Sequence, residues 1–140
     1  MCDTVCNIFC LLYDKKLYSR IKLSEKQDNI VLNTLIEYIH ENYSSHIFLD
    51  SLCKITHYSK PHIINLFKKH TGKTPIDYIN RYKIYKAQEK LMSLDKNIID
   101  IAFECGFDNL GYFNKIFKRY LGLTPGKWRK QKSTYLMPAE

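Results

Sequence analysis

Residues Ile98 to Trp128, IIDIAFECGFDNLGYFNKIFKRYLGLTPGKW, decide the fold. Ile98, Ile101, Ala102 and Cys105 recur at helical spacing and form one apolar stripe. Asn97 can cap that helix, and Asp100 in its first turn faces the positive end of the helix dipole. Gly106 supplies the left-handed residue that ends it. Asp108 or Asn109 can cap a second helix with an apolar face of Phe113, Ile116, Phe117 and Tyr120. The opposite face carries Leu110, Asn114, Lys115, Lys118 and Arg119. A short helix, a tight turn and a helix with a basic outer face predict a helix-turn-helix of the DNA-reading kind.

The same pattern occurs earlier in the chain. Sliding Leu49 to Pro75, LDSLCKITHYSKPHIINLFKKHTGKTP, against that stretch puts Leu52-Cys53 under Ile101-Ala102 and His57-Tyr58 under Gly106-Phe107. After one inserted residue, Phe67-Lys68, Gly72 and Thr74-Pro75 fall under Phe117-Lys118, Gly122 and Thr124-Pro125. The chain therefore carries two helix-turn-helix units.

Spaced in this way, Ile101-Ala102, Gly106-Phe107, Tyr112-Phe113, Phe117-Lys118, Gly122 and Thr124-Pro125 resemble the second helix-turn-helix of AraC/XylS-type transcription regulators. The resemblance covers roughly residues 28–130. It implies an all-α fold of two homeodomain-like three-helix lobes joined by a long linker helix. The first copy departs from the family pattern at Cys53 for alanine, Phe48 for a capping Ser or Thr, and His57 for the turn glycine. A left-handed His57 costs on the order of 1 kcal/mol, so the first lobe is expected to be the less stable. The usual arginine of the linker helix is Lys83, which keeps the charge without the planar fork.

Composition agrees with this reading without requiring it. The net charge is +8 and the pI about 9.2, which favours an anionic partner: nucleic acid, an acidic protein or a membrane surface. Aromatic residues make up 14%, enough for a packed core. The longest near-apolar run, Ile8 to Tyr13, is too short to span a bilayer, and only a fragment of a secretory signal is present. The 5 cysteines are odd in number and lack a disulfide framework, so a reduced, cytoplasmic protein is expected.

Five segments follow: an extension over 1–27, a first lobe over 28–74, a linker over 75–93, a second lobe over 94–132, and a frayed tail over 133–140. Cys2, Cys6 and Cys10 would share one side of a helix in the extension. Their even spacing departs from the paired ligands of structural zinc sites. Residues Cys6, Ile8, Phe9, Leu11 and Leu12 read instead as the apolar face of a helix left over from a sensor-domain ending.

In the first lobe Leu32, Leu35, Ile36, Ile39 and Tyr43 mark a buried helix face, with Glu37, His40, Glu41 and Asn42 expected to face water. The linker, with Thr74 as cap and Pro75 in first position, turns Tyr78, Ile79, Tyr82, Ala87 and Leu91 toward the lobes. At 1.5 Å per residue it makes a rod of roughly 28 Å. That length suits two reading helices in adjacent major grooves, about 34 Å apart. Trp128 is expected in the core, with Lys127, Arg129, Lys130 and Lys132 around it, solvated or on phosphate.

The resemblance carries DNA contacts onto Lys60, Pro61, Ile64, Asn65 and Lys68 in the first unit. In the second it carries them onto Asn109, Leu110, Gly111, Tyr112, Lys115 and Lys118. Asn65 can pair with adenine, and Ile64 and Leu110 can meet thymine methyls, so an A/T-leaning target is expected. The resemblance further implies double-stranded promoter DNA and RNA polymerase as partners and an activating role, with an antagonist of the same fold as the alternative. Two reading units in one chain suit a monomer on DNA. No membrane, cofactor, metal or small-molecule effector is expected, although Cys53 and His57 stand one helical turn apart as ligands could. Nor is an enzyme. The family's repair proteins add a cysteine alkyl-acceptor domain with a zinc site, for which this chain has neither the length nor the paired cysteines.

Overall fold

The computed structural model describes residues 26–93 and 95–136. Among them every regular element is a helix: α1 (Lys26–Asn42), α2 (Leu49–Thr56), α3 (Lys60–Thr71), α4 (Pro75–Leu91), α5 (Ile98–Glu104), α6 (Leu110–Leu121) and α7 (Pro125–Leu136). Two helix-turn-helix units joined by a long helix, the expected all-α architecture, are what the chain forms. Cys2, Cys6 and Cys10 lie outside the described residues, as does the extension up to Glu25. The linker helix stops at Leu91, short of Ser93, while the last helix runs on through Ser133 to Leu136.

The two units repeat their local chemistry. Ser59 caps α3 by accepting from the His62 amide (3.4 Å), and Asn109 caps α6 by accepting from the Tyr112 amide (3.0 Å). Both helices end on a left-handed glycine, Gly72 at φ 71° and Gly122 at φ 78°, whose amides bond to the Lys68 and Lys118 carbonyls. Thr74-Pro75 and Thr124-Pro125 then start α4 and α7. The copies differ where the sequence differs. Asn97 caps α5 through the Ile99 amide (2.9 Å), whereas Phe48 offers α2 no side-chain cap and leaves its ring 58% exposed. His57 takes the left-handed turn at φ 60°, the conformation Gly106 holds at φ 82°.

There are two cores, and α4 belongs to both. Leu32, Leu35, Ile36 and Ile39 of α1 pack on Leu52, Ile63, Leu66 and Phe67, with Tyr78 and Ile79 from the first half of α4. Ile84, Ala87 and Leu91 from its second half pack on Ile101, Ala102, Cys105, Phe107, Phe113, Phe117 and Trp128. Trp128 is fully buried, edge-on to Phe117 at 6.0 Å. Tyr43, read as part of the first lobe's buried face, packs instead against the second core.

Of the residues expected to face water, Glu37 and Glu41 are exposed, whereas Asn42 is half-buried with its Nδ2 donating to the Tyr38 carbonyl at 2.9 Å, and His40 departs further. His40 is half-buried, stacks on Tyr82 with ring centroids 4.0 Å apart, and hydrogen-bonds the Tyr78 hydroxyl at 2.9 Å. Burial first, and the Lys86 ammonium second, bring its pKa down from 6.5 to about 4. The ring is therefore neutral at pH 7.

Candidate nucleic-acid interface

In α3, Lys60, Pro61, Asn65 and Lys68 are exposed, Ile64 is half-buried, and Ile63, Leu66 and Phe67 are core. This is the alternation expected of a reading helix. Lys60 already has a partner: its Nζ lies 2.8 Å from Asp50 Oδ1. The Asp50 hydrogen bond and charge raise the lysine's pKa, and the same pair lowers that of Asp50. A phosphate binding Lys60 would share the ammonium's three donors with that carboxylate or displace it.

In α6, Asn109, Gly111, Tyr112, Lys115 and Lys118 are exposed. Leu110 is half-buried and packs against the second core rather than standing clear on the outer face. Asn109 spends its Oδ1 on the helix cap. A Cβ at Gly111 would stand 3.0 Å from that oxygen, so the glycine leaves room for the cap as well as for a neighbouring backbone.

The linker holds α6 near both of its ends. Asn80 Nδ2 donates to Tyr112 Oη at 3.2 Å, and the Tyr120 hydroxyl donates to Asp77 Oδ1. Asp77 also takes Arg81 Nε at 3.4 Å, and the Arg81 guanidinium lies 4.6 Å from the Tyr120 ring centroid. Burial, reinforced by the bond to Asp77, pushes the Tyr120 phenol's pKa up.

A second bond between the lobes runs through the turn before α6. Lys83 is 5% exposed, and its Nζ donates to the Gly106 carbonyl (2.9 Å) and the Ser45 carbonyl (3.4 Å). Burial lowers this ammonium's pKa, opposed by the negative charge of Asp108. His46 Nδ1 and Asp108 Oδ2 meet at 3.0 Å across the same junction. Gly106 is tightly enclosed: a Cβ there would collide with the Tyr43 carbonyl and approach Lys83 Nζ to 2.9 Å. Beside these contacts lies a cleft of about 320 Å³, with Ile76, Asn80 and Lys83 on one wall and Asp108, Asn109 and Tyr112 on the other.

Sequence reasoning missed Asn80, Lys83's bridging role and the His46–Asp108 pair. A signal was present. Ile76, Asn80 and Lys83 stand at i, i+4 and i+7, a second stripe of α4 beside the apolar one. Cys53 is half-buried against the first core. Among the described residues no three His, Cys, Asp or Glu side chains gather as metal ligands, and no helix is long and apolar enough to cross a membrane.

Comparison with known proteins matches residues 52–131 to a family model described as a helix-turn-helix domain. The transcriptional activator AarP of Providencia stuartii is 33% identical over 118 residues, covering 84% of this chain and 86% of AarP. The bifunctional transcriptional activator/DNA repair enzyme AdaA of Bacillus subtilis is 35% identical over 111 residues, 77% of this chain; the match spans about half of AdaA, 53%. Among solved structures, the DNA-binding domain of AdpA, in complex with a target DNA, superposes with a TM-score of 0.71 at 21% identity, covering 74% of this chain and 94% of that domain. The duplicated caps, the shared linker helix and these matches agree: the chain belongs to the AraC/XylS family of helix-turn-helix transcription regulators, whose DNA-binding helix-turn-helix domain its residues 52–131 match.

Proposed function

We propose that this chain binds promoter DNA as a monomer, sets α3 and α6 into successive major grooves on one face of the duplex, and activates transcription there by recruiting RNA polymerase. The observation that carries the reading is the repetition of one helix, with an equivalent side-chain cap, the same terminal glycine and exposed polar residues at matching positions (Asn65 and Lys115, Lys68 and Lys118), at both ends of a single linker. Base contacts fall to Ile64, Asn65, Asn109, Gly111, Tyr112 and Lys115, while Leu110, packed on the second core, supports the helix rather than reading a base. Lys60, Pro61, Lys68 and Lys118 lie along the phosphates, where a lysine positions without specifying. The DNA complex of AdpA supports the reading as a protein of the same fold that holds a duplex, and AarP, matched over most of its length, supports the activating role. The repair activity in AdaA's name is not carried over, since the match spans 53% of that protein.

The test has two stages. A gel-shift titration with heparin competitor, using duplexes selected by the chain from a randomised library, separates a DNA binder from a protein-binding relative. A promoter-reporter carrying a selected site, run with Asn65→Ala and Lys115→Ala, then separates activator from decoy. Both substitutions should cut binding and reporter output together. Retained binding with no activation by the unaltered chain would leave the antagonist reading standing instead.

A further inference from the structure

The linker helix does more than set a distance. Tyr112 stands in the first turn of α6, 46% exposed, with its ring 6.1 Å from that of the buried Phe107. Its hydroxyl receives the Asn80 amide N–H at 3.2 Å from a residue on a different helix. A phenol oxygen that accepts from an amide keeps its own proton for another acceptor. With Asn80 behind it, that proton is directed away from the linker. Duplex DNA presents such acceptors, as phosphate oxygens and as the N7, O6 and O4 atoms of the major groove.

We infer that Asn80 is a positioning residue for DNA recognition: by donating to Tyr112 Oη it fixes the tyrosine as a hydrogen-bond donor to the duplex. The inference rests on the groove-docking reading above and adds a residue to it that never touches DNA. Asn80 acts by removing two freedoms, the swing of the ring and the choice of proton direction, before binding begins.

The chemistry makes the polarity of the bond testable. Asn80→Ala removes the bond. Asn80→Asp keeps a hydrogen bond but reverses it, because a carboxylate can only accept and therefore takes the tyrosine's proton. Tyr112→Phe removes the donor altogether. Affinities would be measured by fluorescence anisotropy on one duplex selected by the unaltered chain, with circular dichroism melts to confirm that each variant is folded. Asn80→Ala and Tyr112→Phe should each weaken binding by about 3- to 10-fold, the range of one hydrogen bond. The pair together should cost no more than Tyr112→Phe alone. Asn80→Asp should cost more than Asn80→Ala, and most of that cost should vanish in the Tyr112→Phe background, where added charge alone remains. A purely structural role would leave Asn80→Asp with only the cost of its added charge, equal in both backgrounds.

Additive losses, an Asn80→Asp cost that is undiminished in the Tyr112→Phe background, or no loss with Asn80→Ala would each overturn the inference. Asn65→Ala and Lys115→Ala serve as controls. If they weaken binding while the Asn80–Tyr112 cycle shows no coupling, only this inference falls. If they too bind normally, the groove-docking reading falls and this inference with it.

Discussion

His57 and Gly106 occupy equivalent turns, and their surroundings predict opposite responses to substitution. His57 is exposed and holds φ 60°, so His57→Gly relieves left-handed strain and should stabilise the fold by up to about 1 kcal/mol, read as a higher urea midpoint. Gly106→Ala meets the Tyr43 carbonyl and Lys83 Nζ as well as the positive φ, and should cost more than about 2 kcal/mol. The same change at Gly72 or Gly122, where nothing lies within 4 Å of the added carbon, should cost only about 1 kcal/mol. A second prediction at this scale concerns pH. His40 is neutral in the folded protein down to about pH 4, while the unfolded chain binds a proton near pH 6.5. Between those values the unfolded state holds more protons, so stability falls as pH drops through that window and levels off below it. Discounted for a ring that is only half-buried, the loss is on the order of 2 kcal/mol. Urea unfolding at pH 7 and pH 4.5 should show it, and His40→Gln should flatten the difference. An equal drop in the variant would place the pH response elsewhere. The turn residue could be read from the aligned repeat. His40 could not: its position within α1 looks solvent-facing, and the α4 tyrosines that stack on it and bond it are distant in sequence.

At the scale of elements, the helices were legible because their signals are local. Asn97, Ser59, Thr74 and Asn109 each accept the amide that a cap residue at that position should accept. The apolar stripes of α1, α3 and α6 fall in the two cores as spaced. The reading helices were less legible in detail. Leu110 sits at the first turn of α6, where a side chain can lean back onto the core, so spacing alone assigned it to the outer face. Helix α2, with 8 residues, has Phe48 in place of the side-chain cap that Asn97 gives the 7-residue α5. Short helices depend on their ends, since nucleation is costly and few internal bonds repay it. Phe48→Ser should therefore add about 0.5–1 kcal/mol, less whatever the ring's contact with His46 at 4.3 Å contributes. Asn97→Ala should remove about 1 kcal/mol from the second lobe. Amide hydrogen exchange would resolve the two, with slower exchange in α2 for the first variant and faster exchange in α5 for the second. No change in α2 protection with Phe48→Ser would mean that its packing, not its cap, limits it.

At the scale of the whole molecule, the rod and the repeat were readable, but the brace between the lobes was not. Lys83, Ser45 and Gly106 come from three separate stretches, and nothing local in any of them announces the others. The 17 residues of α4 span about 26 Å, somewhat less than the 34 Å or so of one DNA turn. A rod alone could bend or let its ends twist. The Lys83 bonds, the His46–Asp108 pair and the Asn80–Tyr112 bond add three ties that resist such motion. If groove docking is correct, the spacing of the two half-sites is then set by the protein. Inserting about five base pairs between them rotates one groove by half a turn and should cost at least about 100-fold in affinity, roughly 2.7 kcal/mol. Lys83→Met leaves two carbonyls without their donor, which should destabilise the fold by about 1–3 kcal/mol. It should also narrow the gap between native and single-base-pair-expanded sites, because lobes that are less tightly tied can follow a shifted groove. The salt dependence should stay put: with about six phosphates neutralised, log K falls against log salt with a slope near −5 in both proteins. Anisotropy titrations across spacings and salt concentrations measure the three binding quantities, and urea unfolding measures the destabilisation. A Lys83→Met protein that keeps the full spacing penalty would show that the rod alone sets the distance between the reading helices.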